Sequence, residues 1–184
     1  MLFRSRIFEP RYRAMLAWAL ERDRMFCIAQ MKPGVAEAAT EDQFFHHAGI
    51  GLVSASVTQS DGTSNLMLQG LARVRFTGFA QRAPFRIAHL DVLAPVCTDA
   101  EAADALVDEI RGQCAALRVN GSPLPKAFTE MLREMSDPHA FADTVGHSLI
   151  TDGGTRQLLV EEPDATTRLR IIARALRCDV HGEN

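Results

Sequence analysis

Apolar residues recur along this chain with two different periods, and the change falls near residue 96. Between residues 25 and 95 they alternate with polar neighbours, the two-residue period of half-buried strands. Phe26, Ile28 and Gln30 interleave with Cys27, Ala29 and Met31. Residues 50–57 run toward Ser60-Asp61-Gly62-Thr63, where Asp-Gly tolerates the positive φ of a tight hairpin turn. Leu66, Leu68, Val74 and Phe76 carry the return strand, and Gly70 inside it marks a bulge or a close backbone approach. Residues 85–93 form one more strand, ended by Pro95. Residues 32–43, with Pro33-Gly34 and Glu37, Glu41 and Asp42, form a polar excursion.

Helical spacing brackets these strands. Near the N-terminus Pro10 suits a first helical position, and Tyr12, Met15, Leu16 and Ala19 then share one face. From Thr98 onward the period is 3.6. Thr98 is expected as an N-cap with Glu101 three residues on, and Ala103, Leu106, Val107, Ile110, Cys114 and Leu117 form a stripe that Asn120-Gly121 should stop. Residues 122–125, Ser-Pro-Leu-Pro, read as a connector. Asp137-Pro138 opens another helix, Gly153-Gly154 should break one, and Asp164 begins a last one. In that last helix Leu169, Ile172, Ala173 and Leu176 should face inward, with Arg170, Arg174 and Arg177 outward. The pattern predicts an α+β chain, a β-rich lobe over residues 1–96 followed by a helical lobe over 97–184.

At 184 residues and 47% hydrophobic, the chain is large enough to bury a substantial core. No apolar run reaches the ~18 residues that a membrane span needs. The opening, cut by Arg4 and Arg6, does not read as a secretory leader, so a cytoplasmic protein without membrane attachment is expected. Cys27, Cys97, Cys114 and Cys178 are dispersed, which suits reduced thiols rather than a disulfide framework. Net charge is −3 and unevenly spread. Residues 1–24 carry six arginines against three acids, while residues 98–184 carry fifteen acids against nine bases. Nothing in that distribution is basic enough to announce nucleic acid as a partner. Eighteen arginines against two lysines read as codon bias.

Candidate chemistry is sparse. The P-loop pattern is absent, so no backbone cradle for nucleotide phosphates is expected. A serine–lysine dyad would need Lys32 or Lys126, and the nearby Ser122 sits in the connector. His46-His47 should point to opposite faces of a strand. His139 and His147 are eight apart, and Cys178 with His181 lacks further ligands. No catalytic residue, metal or cofactor is therefore assigned.

The wording Phe8-Glu9-Pro10-Arg11-Tyr12-Arg13-Ala14-Met15-Leu16 resembles the opening of the substrate-binding N-terminal domain of Lon proteases. Ile50-Gly51, Asp61-Gly62, Gly70-Leu71-Ala72-Arg73-Val74-Arg75-Phe76, Ala83-Pro84-Phe85, Leu158-Leu159, Asp164 and Arg168-Leu169 extend the resemblance over residues 7–178. It implies a PUA-like β-barrel lobe packed on a helical bundle. It also implies a non-enzymatic module that holds unfolded or extended polypeptide, in the setting of protein quality control. In full-length Lon such a domain is coupled to an ATPase and a serine–lysine peptidase, so a separate protease or chaperone is an expected partner here. The family commonly has a further strand and a proline-rich turn before the opening motif, and this chain starts too late to include them. An open barrel edge would invite self-association. Leu52 stands where the family often has a small polar residue.

Candidate polypeptide contacts are Phe8, Arg11, Tyr12, Arg73 and Arg75. Phe8 and Tyr12 are expected first as core packing and second as anchors. Glu9 and Arg11 can pair with each other or with the barrel. Arg73 and Arg75 should share one sheet face, either simply solvated or forming a contact rim. The alternative function is RNA binding through the PUA-like lobe.

Overall fold

The computed structural model describes residues 2–119 and 121–181, which fall into two compact units, residues 1–93 and 94–184. The first unit contains β1 (Leu2–Ile7), α1 (Pro10–Leu20), β2 (Met25–Met31), β3 (Phe44–Thr58), β4 (Ser64–Gln81) and β5 (Ile87–Leu93). All the strand pairings are antiparallel. β4 pairs with β3 along most of its length, with β1 through its first part and with β5 through its second, and β2 lies on the far side of β3. Pairing among the described residues thus follows an open path rather than a closed ring.

The turn between β3 and β4 forms where Asp-Gly predicts it. Gly62 has φ +77°, and the Asp61 carboxylate accepts from the Thr63 amide at 2.9 Å. An added Cβ at Gly62 would also lie 2.1 Å from Nη2 of Arg13 on α1, whose exposed side chain would have to move aside. The β3–β4 register slips once between Ile50 and Gly51, where Gly51 pairs with Gly70 and Ile50 with Ala72. Leu71 is the extra residue, 49% exposed, so the glycine does sit at a bulge. β1 was not foreseen as a strand, yet it pairs with β4 from Leu2–Gln69 to Ile7–Ser64.

Each sheet face buries its own apolar group. On one, Leu16 of α1 packs among Ile7, Val53, Leu66 and Leu68, with Tyr12 and Phe26 at the margin. On the other, Phe44, Ala48, Val74 and Phe76 enclose Ala38. Ala38 belongs to the polar excursion, which is pinned rather than loose. Arg86 donates to the carbonyls of Ala38 and Ala39, and Gln43 Oε1 accepts from the amides of Ala39 and Thr40.

The second unit contains α2 (Ala100–Ala116), a small hairpin of β6 (Arg118–Val119) and β7 (Ser122–Pro123), α3 (Lys126–Glu134), α4 (Pro138–Leu149), α5 (Gly153–Glu161) and α6 (Ala165–His181). Phe141, Val145, Ile110, Leu132, Leu169, Ile172 and Leu176 form its buried centre. Several boundaries differ from the sequence reading. Asp99, not Thr98, caps α2 by accepting from the Ala102 amide. α2 ends at Ala116, so Gly121 (φ +75°) serves the β6–β7 connection instead of stopping a helix. Gly153 begins a helix because Asp152 accepts from the Thr155 amide at 2.6 Å. The proline-rich connector leads directly into α3, which the pattern did not predict.

Asp164 ties the start of α6 to the segment leading into α2. Its carboxylate accepts from the Thr98 amide at 2.8 Å, the Thr167 amide at 2.9 Å and the Thr167 hydroxyl at 2.7 Å. Burial alone would raise its pKa, but these donors outweigh burial and hold it at about 2. A carboxyl depressed on folding stabilises the fold above its unfolded value and loses that contribution as pH falls toward the folded value. Urea unfolding should therefore show Asp164→Ala destabilised by about 2 kcal/mol at neutral pH. Between about pH 4 and pH 2 the variant should lose stability less steeply than the parent; parallel pH curves would remove Asp164 as the cause.

Candidate functional site

The candidate contacts fall into two groups on the first unit. Phe8 lies between β1 and α1 and is 61% exposed, which corrects the expectation that it packs in the core. The neighbouring Ile7 completes its strand pairing with Ser64 and takes the inward position, leaving Phe8 in solvent. Tyr12 does pack against the apolar group beneath α1, as its helical spacing predicted. Arg11 joins three neighbours. It pairs with Glu9 at 2.8 Å and with Glu37 of the polar excursion at 2.5 Å, and its guanidinium stacks 4.6 Å from the Tyr12 ring centroid. Arg11 is thus fixed in a local network, its fork well suited to two carboxylates at once.

Arg73 and Arg75 lie further along β4, and the register places them on the face that carries Val53, Leu68 and α1. One row across the strands reads Ile28, Gly49, Arg73, Leu93. The next reads His47, Arg75, Asp91. α1 packs on this face over Val53 and Phe26; in the two further rows Ile28, Arg75 and Asp91 are exposed, while Gly49, His47, Arg73 and Leu93 are half-buried. Ile28 is 51% exposed, and a Cβ built on Gly49 would meet nothing within 4 Å. Gly49 therefore forms a shallow floor between Ile28 and Arg73. Arg75 donates to Asp91 at 2.8 Å, with both side chains about half exposed, so the pair is weak and exchangeable.

Ile28, Gly49, Leu93 and Asp91 were not singled out from sequence. For Gly49 a signal was present in the β3–β4 hairpin. Counting back from the Thr58–Ser64 pair reaches Gly49 opposite Arg73, because the two register slips between these points cancel.

Two of the thiols are masked by burial. Burial pushes the Cys27 and Cys114 thiols up to about 11, so both are protonated and poor nucleophiles near neutral pH. Ser122 lies in the β6–β7 hairpin and Lys126 opens α3. His46 approaches the Glu41 carbonyl at 3.1 Å, whereas His47 lies in the Arg75 row. The spacing of Cys178 and His181 lies outside the described side chains. Among the described residues no group of three His, Cys, Asp or Glu could hold a metal ion. None of their helices is long and apolar enough to cross a membrane. In the second unit, Arg168 is almost fully buried, paired with Asp143, with His139 Nδ1 2.7 Å from its Nη2. That cluster joins α4 to α6 and is structural.

Comparison with known proteins gives one consistent result. A family model described as the ATP-dependent protease La (LON) substrate-binding domain matches residues 1–177. The chain is 26% identical over 152 residues to a Lon protease of Trichlorobacter lovleyi, covering 82% of this chain and 19% of that protein. It is 27% identical over 163 residues to Lon protease 1 of Thermus thermophilus, covering 86% and 20%. The chain thus spans about one fifth of the length of these relatives. Among solved structures, the N-terminal domain of Mycobacterium avium complex Lon protease superposes with TM-score 0.73 at 19% identity, covering 96% of this chain and 90% of that one. A Lon N-terminal domain protein from Xanthomonas campestris gives TM-score 0.61 at 16% identity, covering 92% and 86%.

Burial separates the two aromatic candidates experimentally. Phe8→Ser should change unfolding free energy by no more than about 0.5 kcal/mol, as expected for an exposed site. Tyr12→Ala should cost about 2 kcal/mol through lost packing on Leu16 and Val53. Chemical denaturation of both variants checks this, and equal losses would contradict the placement of Phe8.

Proposed function

From the premise that this chain belongs to the LON substrate-binding domain family, we propose that it holds exposed apolar stretches of other polypeptides and performs no chemistry on them. The observation that carries the reading is the part of the sheet face beyond α1, where the exposed Ile28 lies beside the bare backbone at Gly49. An extended segment laid there covers apolar area without displacing a side chain from the floor. Binding is weak, because ordering a flexible chain offsets much of the contact energy. Weak, shape-tolerant holding suits protein quality control, in which exposure rather than exact sequence selects the client. A separate protease or chaperone then acts on what is held. The protonated Cys27 and Cys114 thiols and the free Cys97 suit a reducing, cytoplasmic setting.

The test is light scattering from a chemically denatured client diluted into buffer without ATP. A several-fold molar excess of this protein should slow aggregation. Gly49→Trp, which fills the floor at a position with room for a side chain, should abolish the effect while leaving the circular dichroism spectrum unchanged. Unslowed aggregation at high excess would overturn the reading.

A further inference from the structure

We infer that the outer edge of β1 takes an extended polypeptide segment as an added strand, selecting one with acidic residues at alternate positions. β1 stands at one end of the strand order and pairs with β4 alone among the described residues. Every second residue of such an edge turns its N–H and C=O away from the sheet, where another strand can pair with them. Phe8, the residue after β1, is 61% exposed and offers an apolar contact at its end. β1 meets residues 64–69 of β4, whereas the Gly49 floor lies along β4 at Arg73, so the edge is a second place to hold a chain.

The register decides what the added strand meets. Ile7, opposite Ser64, faces the apolar group beneath α1, so Arg4 and Arg6 project from the opposite face. On that face Arg4 lies in a row with Met67 and Ala55, and Arg6 in a row with Asn65 and Val57. Both arginines are exposed, Val57 is 59% exposed, and the two rows contain no acid. No described residue hydrogen-bonds or ion-pairs with either arginine. Asp61 in the β3–β4 turn is the acid whose charge reaches Arg6, and its carboxylate already accepts from the Thr63 amide. An added strand repeats its side chains every two residues, so alternate acids fall opposite Arg4 and Arg6. Opposite charges in directly facing positions stabilise a strand pair, and like charges weaken it. The same rule disfavours a second copy of β1 as the occupant, because antiparallel pairing would set arginine against arginine.

The test titrates fluorescein-labelled peptides against the full chain by fluorescence anisotropy. Three peptides share their valine and threonine positions and have glutamate, serine or lysine between them. The glutamate peptide should bind about tenfold more tightly than the lysine peptide at low salt. That gap should collapse at about 0.5 M salt. Backbone N-methylation of the glutamate peptide should abolish binding at one set of alternate residues and spare it at the other, as pairing along a single edge requires. Arg4→Gln/Arg6→Gln should bring the three peptides to equal affinity, while Gly49→Trp should leave their order unchanged. If the double variant loses its circular dichroism spectrum, the methylated peptides and the salt titration of the parent decide. Equal affinity of the parent for all three peptides overturns the acidic preference. Equal response to the two methylation patterns overturns strand addition, and loss of binding in Gly49→Trp moves the peptide to the floor and overturns the edge site. A single-stranded RNA that displaces the glutamate peptide at equal concentration assigns the arginines to phosphate and overturns the inference. Sedimentation showing a dimer that excludes the peptide gives the edge to a second copy and does the same. Holding of aggregating clients at the floor is decided separately, by light scattering.

Discussion

The long ladder between β3 and β4 is the constraint from which the first unit follows. β4 is eighteen residues long, and every other sheet strand except β2 pairs with it directly. Its register decides which residues of β1 and β5 face the two apolar groups and which face solvent. A shift by one residue would exchange Leu66 and Leu68 for Asn65 and Met67, or for Met67 and Gln69, turning a polar side chain into the packing under α1. The two slips in the ladder cancel, so the outer parts keep the register set by the Asp61-Gly62 turn while the middle adjusts around Leu71.

The second unit is organised by arginine as much as by apolar burial. Helix ends leave carbonyls without intrahelical partners. Arg111 donates to the carbonyls of Leu132, Arg133 and Met135 at the end of α3, and Arg156 to those of His147 and Ile150 at the end of α4. Arg118 does the same for Ala115, Ala116 and Leu117 at the end of α2. A planar guanidinium reaches two or three carbonyls at once, which a lysine ammonium on a flexible stem does less well. Codon bias is therefore an incomplete account of eighteen arginines beside two lysines. At these positions the fork has a structural task.

Legibility in the sequence followed the range of the interaction involved. The Asp61-Gly62 hairpin, Pro10 at the start of α1 and the inward stripe of α6 were readable because each depends on neighbours within a few residues. The placement of Arg73 and Arg75 on one face was readable for the same reason. Caps were harder: Thr98 and Asp99 are adjacent and equally suited by type, and the structure uses Asp99, while the Thr98 amide donates to Asp164, 66 residues away. Gly153-Gly154 looked like a break because glycine lowers helix propensity, but the Asp152 cap prevails at a first turn. Phe8 could not be placed from its neighbours, since its exposure depends on Ile7 claiming the inward position beside Leu66. The open floor at Gly49 needed two strand registers together, β2 with β3 and β3 with β4.

The tip at Gly62 has a practical consequence for handling this protein. A tight surface hairpin is ordinarily an inviting place to splice an epitope or a fluorophore-bearing cysteine. Here the guanidinium of Arg13 occupies the space that any side chain at Gly62 would enter, so a label at that residue would have to displace this exposed arginine as well as adopt a φ of +77° that favours glycine. The connection between β6 and β7, where a Cβ on Gly121 meets nothing within 4 Å, carries no such neighbour, although its φ of +75° still favours glycine. Reporter groups are better attached beside that turn, at the exposed Ser122, than at the hairpin that looks more convenient.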